Sequence, residues 1–178
     1  MIYTNAYESP LGKLLLAGDE QGLTGLWFVE GSRYMGLGLS KTATRRETDY
    51  FDQTKQWLEL YFSGRDPGFL PRIHLVGSDF RNRVGEILCE IPFGETVSYG
   101  WIADRLAMER GLARMSAQAV GGAVGHNPIC LIVPCHRVVG ANGSLTGYGG
   151  GIQRKRALLE LEGHDMRRFT VSTKGTAL

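Results

Sequence analysis

The sequence predicts an α/β (α+β) fold. A small N-terminal domain of three strands and a helix precedes a mostly helical C-terminal domain with a helix-turn-helix. Apolar residues alternate between turn signals over residues 1–28, as in a β-meander. They recur at helical spacing over residues 47–62. Beyond residue 77, serines that can cap helices precede further amphipathic stretches. We therefore expect domains at residues 1–77 and 78–166, followed by a tail at 167–178.

The composition does not identify a binding partner, but it argues against a membrane protein and a secreted protein. The chain has 178 residues and a formal net charge of +2, so its bulk charge favours neither acidic nor basic partners. No apolar run approaches the ~20 residues of a membrane-spanning helix, and the N-terminus lacks the pattern of a signal peptide. The three cysteines have no metal-site spacing. We interpret them as free thiols, which predicts a cytoplasmic protein with no metal and no membrane partner.

The pattern of the N-terminal domain predicts each element in turn. Strands are expected over residues 2–7, 13–17 and 23–29, followed by a loop over 30–45. The helix over 47–62 has an aromatic-rich face, which we interpret as a packing face, and Gly64 ends it. A short strand over residues 73–76 is expected just before the domain boundary.

The C-terminal domain is expected to contain four helices. Ser78 or Asp79 caps the first, Ser98 and Ser116 cap the next two, and the last runs over residues 152–162 to Gly163. Two short helices around a tight connection predict a helix-turn-helix. The pattern alone also fits an ordinary helical hairpin.

The distribution of charge favours a nucleic acid as the partner of this domain. From Arg110 to Leu159 there is no Asp or Glu, and a segment without carboxylates can lie against phosphates without repulsion. The basic residues of this span are Arg110, Arg114, Arg137, Arg154, Lys155 and Arg156. The modest total predicts weak backbone binding rather than a sequence-specific repressor. The alternative is a chance fluctuation of charge on a solvated face.

The stretch from Pro134 to Gly140 carries the most distinctive chemistry. It follows an apolar run over residues 129–133, which predicts a buried strand, and precedes a glycine-rich turn region. A thiol becomes nucleophilic beside a cation or an imidazole, and His136 directly follows Cys135. Neighbouring side chains of a strand point to opposite faces, so either the backbone turns here or a water bridges the pair. From the residues alone, a catalytic thiol and a buried structural thiol both remain open.

A catalytic imidazole also needs an orienting partner. The last helix offers Glu160 or Glu162 for this role.

The stretch Ile-Val-Pro-Cys-His-Arg-Val-Val-Gly at 132–140 resembles the active-site signature of the O6-alkylguanine-DNA alkyltransferases, the methylated-DNA–protein-cysteine methyltransferases. Other segments resemble further parts of that family in order: the entry to its helix-turn-helix, its recognition helix, its hinge, its substrate loop and its closing helix. These segments are residues 91–100, 119–123, 127–128, 143–148 and 158–163. The dense match spans residues 78–163, and the N-terminal part fits the family's small α/β domain in outline.

The resemblance implies DNA repair by irreversible, single-turnover transfer of the alkyl group of O6-methylguanine to Cys135, with O4-methylthymine as a second candidate lesion. His136 would take the thiol proton through a water, and Glu162 would orient the imidazole. Tyr99 would donate to guanine N3, and Asn127 would tie the recognition helix to the active-site loop. No cofactor is implied. The implied partner is duplex DNA, bound by a monomer through the minor groove with the damaged base flipped.

The resemblance also implies a set of residues that bind DNA or the flipped base. Carbonyls of Cys135 and Val138 would read the exocyclic amine of guanine, while Tyr148 and Gly149 would cover the ring and offer an amide to O6. The complete set is Ser116, Gln118, Ala119, Gly122, Arg137, Val138, Tyr148, Gly149 and Lys155.

The sequence departs from the family pattern at two of these positions. Gln118 stands where many relatives have an arginine, and Gly149 where a serine is frequent. One alternative is an alkyltransferase-like sensor that binds the lesion without turnover, but such sensors lack the nucleophile and Cys135 is present. Another is a helix-turn-helix regulator with an incidental thiol, which would bind one DNA sequence rather than a lesion.

Overall fold

The structure is a computed structural model that describes residues 1–32, 39 and 42–171. The rest of the predicted 30–45 loop and residues 172–178 of the predicted tail lie outside the described residues. The chain divides into two compact units. The N-terminal unit comprises residues 1–76 together with 128–132, and the C-terminal unit comprises residues 77–127 and those from 133 onwards.

The N-terminal unit is a sheet with one helix against it. Strands β1 (Tyr3–Ser9), β2 (Gly12–Gly18) and β3 (Leu23–Phe28) form the predicted antiparallel meander. A two-residue strand, β4 (Thr44–Arg45), pairs in parallel with β1, so the order is β3-β2-β1-β4. This fourth strand lies within the predicted loop, where two paired residues give no periodic signal.

Helix α1 (Asp49–Phe62) begins at a side-chain cap and ends at a glycine. Thr48 Oγ1 accepts a hydrogen bond from the backbone N–H of Phe51, and Gly64 adopts a positive φ of 83°. The aromatic face is buried, with the rings of Trp57 and Tyr61 stacked 5.0 Å apart. The helix and its packing face agree with the sequence prediction.

Two predicted strands do not form. Ile73 and Ile129 make only isolated bridges, to Leu23 and Leu26. After Ile129 the backbone turns: the N–H of Ile132 donates to the carbonyl of Cys130, and Leu131 has a φ of 70°. Residues 129–133 are all buried, as predicted. An apolar run reports burial, and it does not distinguish a buried turn from a buried strand.

Up to residue 171, where the description ends, the C-terminal unit contains four α-helices, as predicted. They are α2 (Asp79–Cys89), α3 (Tyr99–Glu109), α4 (Ala117–Gly125) and α5 (Ile152–Leu161). Ser78, Ser98 and Ser116 cap the first three, each accepting from a backbone N–H three residues on. Helix α4 packs against α2 and α3, which gives the helix-turn-helix its core.

Short parallel strands join distant parts of this unit. Strand β5 (Val97–Ser98) pairs with β6 (Val138–Val139), and β7 (Ser144–Leu145) pairs with β8 (Thr170–Val171). Because β8 is paired, residues 167–171 belong to the folded unit rather than to the predicted loose tail. Among the residues that the structure describes, no helix is long and apolar enough to cross a membrane.

Candidate active site

Cys135 lies on a turn, not on a strand. Its N–H donates to the carbonyl of Val133 at 2.8 Å, and residues Cys135–Arg137 form a single 3-10 turn that leads directly into β6. The backbone therefore turns at Pro134–Cys135, which is one of the two alternatives that the sequence left open. Cys135 is buried, with 6% of its surface exposed.

His136 is held by Glu162. The distance from His136 Nε2 to Glu162 Oε1 is 2.6 Å, and both side chains are completely buried. Glu162 caps the C-terminal end of α5, whereas Glu160 is exposed, so the structure selects Glu162 from the two predicted candidates. An ionised carboxylate only accepts hydrogen bonds, so Nε2 carries the proton toward Glu162. In a neutral ring this makes Nδ1 the nitrogen that can accept a proton.

Glu162 also receives Arg137 and a backbone amide. Arg137 Nε lies 2.9 Å from Oε2, Arg137 Nη2 lies 3.0 Å from Oε1, and the N–H of Gly94 donates to Oε2 at 3.1 Å. Arg137 Nη1 donates to the carbonyl of Ile91 at 2.7 Å. The carboxylate is therefore held by donors from two segments of the C-terminal unit: His136 and Arg137 on the Cys135 turn, and the N–H of Gly94.

The surroundings set the protonation states of this pair. Burial alone would raise the pKa of Glu162, but its bonds to His136 and Arg137 outweigh burial and lower the pKa to about 2. Burial lowers the pKa of His136 below its usual value, and the cations Arg137 and Lys155 add to this effect against the opposing pull of Glu162. At neutral pH the site thus contains a carboxylate beside a neutral imidazole, which can act as a base.

Tyr99 and Lys155 converge on one carbonyl. The Tyr99 hydroxyl donates to the carbonyl of Thr146 at 3.1 Å, and Lys155 Nζ donates to the same oxygen at 2.9 Å and to the carbonyl of Val138 at 2.5 Å. Burial raises the pKa of Tyr99 to about 12, so its hydroxyl keeps its proton and remains a donor. Gly147 follows Thr146, and a Cβ there would lie 3.2 Å from the Tyr99 hydroxyl.

Asn127 links helix α4 to the turn that carries Cys135. It directly follows His126, the C-cap residue of α4, and its Nδ2 donates to the carbonyl of Val133 at 2.7 Å. That carbonyl also accepts from the N–H of Cys135. The end of α4 and the nucleophile segment thus share one acceptor.

Two predicted DNA-binding residues are internal. Arg137 is buried against Glu162, and Lys155 has no exposed surface. Both side chains are used in bonds within the C-terminal unit, which disfavours a direct contact with a phosphate. Their predicted role in binding substrate or DNA stays a prediction. The sequence showed their charge but not the direction in which their side chains point.

The other predicted binding residues fall into two groups. Ser116, Gln118 and Ala119 are exposed at the start of α4, and Gly122 is half-buried one turn on. Tyr148 is buried and Gly149 half-buried in the loop between β7 and α5. The Val138 carbonyl is predicted to bind the exocyclic amine of guanine. In the structure this oxygen already accepts a hydrogen bond from Lys155 Nζ, so the amine would have to share it.

The sequence analysis missed three groups that build the site. The carbonyls of Thr146 and Ile91 and the N–H of Gly94 are backbone atoms, so side-chain chemistry gives no signal for them. Gly94 has a φ of 80°, a left-handed backbone conformation that favours glycine. Within the described residues, no cluster of three or more His, Cys, Asp or Glu could hold a metal ion.

Comparison with known proteins identifies the family. Residues 79–164 match the model described as "6-O-methylguanine DNA methyltransferase, DNA binding domain". Residues 2–69 match the model of its "ribonuclease-like domain". The methylated-DNA–protein-cysteine methyltransferase of Mycobacterium tuberculosis is 48% identical over 162 residues, which cover 91% of this chain and 93% of the relative. The Methanosarcina acetivorans protein of the same name is 41% identical, covering 91% of this chain and 99% of its own.

Solved structures give the same result. The crystal structure of the M. tuberculosis O6-methylguanine methyltransferase matches with a TM-score of 0.75 at 46% identity, covering 91% of this chain and 93% of that one. A structure of the M. tuberculosis protein in complex with DNA matches with a TM-score of 0.74 at 46% identity, covering 94% of each chain. The chain therefore belongs to the O6-methylguanine DNA methyltransferase family.

Proposed function

We propose that this protein repairs O6-alkylguanine in duplex DNA by transferring the alkyl group, once per molecule, to Sγ of Cys135. As a member of its family, the protein is a DNA-repair transferase that moves an alkyl group to a cysteine. The observation that carries the residue assignment is the buried bond between His136, next to Cys135 on the turn, and Glu162 at the end of α5. The ionised carboxylate holds a neutral imidazole in the tautomer that accepts a proton.

The proposed reaction moves one proton and one alkyl group. The Cys135 thiol passes its proton through a water to Nδ1 of His136, and Glu162 stabilises the imidazolium that results. The thiolate attacks the alkyl carbon, an S–C bond forms and the C–O6 bond breaks. The electron pair moves onto guanine, where the Tyr99 hydroxyl would donate to N3 in place of the Thr146 carbonyl, its acceptor in the structure. The thioether product has no easy leaving group, so the transfer is irreversible.

The proposed substrate is a base flipped out of the duplex, because a thiol that is 6% exposed cannot reach a stacked base. Tyr148 and Gly149 would cover the ring and offer an amide to O6. The carbonyl of Cys135 would accept from the exocyclic amine of guanine. The Val138 carbonyl, which already accepts from Lys155, would accept from the same amine through its second lone pair. Asn127 would couple α4 to this pocket through the carbonyl of Val133. O4-methylthymine stays a second candidate lesion.

The proposed DNA-binding surface is the start of α4. Ser116, Gln118 and Ala119 are exposed there, and Gly122 leaves room for close approach, since a Cβ at that position would meet nothing within 4 Å. Small, uncharged side chains suit the narrow minor groove. Arg110 and Arg114 are exposed in the connection before the helix and would bind phosphates.

We propose that the protein acts as a monomer in the cytoplasm, where thiols stay reduced.

The test separates transfer from binding. Cys135→Ala should bind a duplex containing O6-methylguanine as tightly as the wild type and leave the methyl group on the DNA. Cys130→Ala removes another buried cysteine, one in the N-terminal unit, and should retain both activities. Methyl transfer that persists in Cys135→Ala would overturn the assignment. Lesion binding without transfer in the wild type would favour the sensor. Strong preference for one undamaged sequence would favour the regulator.

A further inference from the structure

The connection between α3 and α4 has a fixed backbone. Gly111 has a φ of 65°, and its N–H donates to the carbonyl of Met108 at 3.2 Å. The N–H of Leu112 donates to the carbonyl of Ala107 at 2.8 Å. These two bonds form a Schellman motif, which ends α3, and Ser116 caps α4 shortly afterwards. The backbone therefore holds Leu112 in one place, within the connection rather than in either helix.

Leu112 is exposed where the motif usually buries a side chain. In a Schellman motif the residue at this position commonly packs back onto the end of its own helix. Here 49% of Leu112 is exposed to solvent, and Met108, on the last turn of α3, is 80% exposed. A single exposed apolar side chain is ordinary on a protein surface. Two of them so close in sequence, beside a proposed DNA-binding helix, indicate a contact surface.

The charges around this side chain suit a polyanion. Arg110 and Arg114 lie two residues before and after it, and both are exposed. The sequence contains no carboxylate over residues 110–159. The carboxylate just before this span, Glu109, accepts from Nε and Nη2 of Arg83 at 2.9 and 2.7 Å, so its charge is balanced. The connection therefore combines apolar side chains with positive charge, as binding to the DNA backbone and groove requires.

Leu112 lies within reach of a duplex that binds the start of α4. The Cα atoms of Leu112 and Ser116 are at most about 14 Å apart, because an extended chain of this length spans no more. Nucleotides follow one another about every 3.4 Å along a strand, so this distance corresponds to about four base pairs. Even a single DNA-binding module buries roughly 600–1,000 Å², whereas one helix turn is only about 5 Å long and 10 Å wide. A duplex on α4 therefore extends over the connection.

We propose that Leu112 is an apolar wedge, which enters the minor groove beside the lesion and helps to hold the duplex open when the damaged base leaves the stack. Proteins that bind the minor groove use leucine and methionine side chains in this way, and they partly unstack the bases that they contact. Arg110 and Arg114 bind the phosphates on either side, and Met108 covers the edge of the contact. The proposal rests on the proposed function, in which the lesion reaches Cys135 as a flipped base.

This role predicts that the effect of Leu112 depends on the form of the substrate. Removing a base from the stack is costly in a duplex, less costly in a single strand and absent for a free base. A side chain that supports flipping therefore matters most for the duplex and has no effect on the reaction of a free base. Because leucine carries no charge, its removal leaves the salt dependence of DNA affinity unchanged.

The experiment compares three variants. Leu112→Ala removes the apolar side chain, and Leu112→Met keeps one of similar length. Leu70→Ala is the matched control, because Leu70 is 53% exposed and lies in the N-terminal unit. Single-turnover alkylation of Cys135 is followed by peptide mass with O6-methylguanine in a duplex, with the same lesion in a single strand, and with a free O6-alkylguanine base. A titration measures affinity for the lesion duplex at several salt concentrations.

We expect Leu112→Ala to react with the duplex about 5-fold more slowly, because about half of a leucine side chain remains to be buried by DNA. The loss with the single strand should be smaller. The rate with the free base should match the wild type, which also shows that the variant is folded, and so should the salt dependence. Leu112→Met should recover the duplex rate, and Leu70→Ala should match the wild type throughout.

A wild-type rate of Leu112→Ala on the duplex would refute the proposal and leave the exposed surface to another partner. An equal loss on all three substrates would also refute it, since Leu112 would then support the fold. A wild-type protein that takes no alkyl group from any substrate refutes the role of Cys135 instead. The titration then decides the role of Leu112: an affinity about 5-fold lower in Leu112→Ala supports the wedge, and an unchanged affinity refutes it.

Discussion

The two units bury different kinds of polar group. Among the described residues of the N-terminal unit, the buried polar side chains are Asn5 and Thr54, which are uncharged and donate to the backbone carbonyls of Arg46 and Tyr50. Among those of the C-terminal unit, the buried polar side chains are all ionisable: His136, Arg137, Lys155 and Glu162. Buried ionisable groups are costly and concentrate where chemistry needs them. The difference locates the reactive site and predicts that the two units respond differently to pH.

Replacing Glu162 should have the largest effect on activity. Glu162→Gln removes the charge that holds His136 and leaves Arg137 buried without its partner. We expect the rate of alkyl transfer to fall at least about 100-fold, the range in which general base catalysis contributes. Affinity for the lesion duplex should change little. Single-turnover kinetics and a binding titration measure the two quantities.

Glu160→Gln is the matched control, because Glu160 is exposed on the same helix. It should retain the wild-type rate. Equal losses of rate and affinity in Glu162→Gln would mean that Glu162 supports the fold rather than the reaction.

Acid should lower the free energy of unfolding by protonating Glu162. The pKa of Glu162 is lowered to about 2 in the folded state, below its ordinary value of 4.5. The stability that this shift contributes is therefore complete above pH 4.5 and is lost as the pH falls toward 2; it is on the order of 3 kcal/mol. Denaturant unfolding at pH 7 and at pH 2.5 should show that Glu162→Gln is destabilised at pH 7 and that most of this difference from the wild type is gone at pH 2.5. A difference that stays constant with pH would contradict the assignment.

Removing apolar volume from the N-terminal unit should have an effect that does not depend on pH. Leu58 lies on α1 and is fully buried in the core. Leu58→Ala should lower the free energy of unfolding by about 3 kcal/mol, through lost burial and a residual cavity. Because no titratable group changes, the loss should be the same at pH 5 and pH 8 in denaturant titrations. A loss that varies with pH would break the contrast between the two units.

The smallest effect is expected at the DNA-binding surface. Arg114 is exposed two residues before the cap of α4, and Arg114→Ala should remove one phosphate contact. The slope of log affinity against log salt concentration should fall by about 0.9, with affinity reduced several-fold at low salt. Arg65→Ala, at an exposed arginine of the N-terminal unit, should leave the slope unchanged. Equal slopes in the two variants would remove Arg114 from the interface.

The sequence predicted what depends on local pattern. Serine caps defined the starts of α2, α3 and α4, helical periodicity defined α1, and the Cys135-His136 pair marked the reactive site. Features that depend on long-range packing were out of reach. The run over residues 129–133 is equally apolar as a turn or as a strand, and β4 and β8 are too short for a periodic signal.

Side-chain direction was equally hidden in the sequence. Glu160 and Glu162 are alike as residues, and only the end of α5 turns the second one inward. Arg137 and Lys155 looked like DNA-binding cations because their charge was visible and their bonds to Glu162, Val138 and Thr146 were not.

The most direct measurement is intact mass and peptide mapping after the wild-type protein is mixed with a short duplex containing O6-methylguanine. We expect one methyl group per molecule, located on the peptide that contains Cys135 and matched by an equal amount of restored guanine. A methyl group on Cys89 or Cys130 would place the nucleophile outside the His136–Glu162 cluster. An unchanged protein mass with the lesion still bound would make the protein a sensor of damage rather than a transferase.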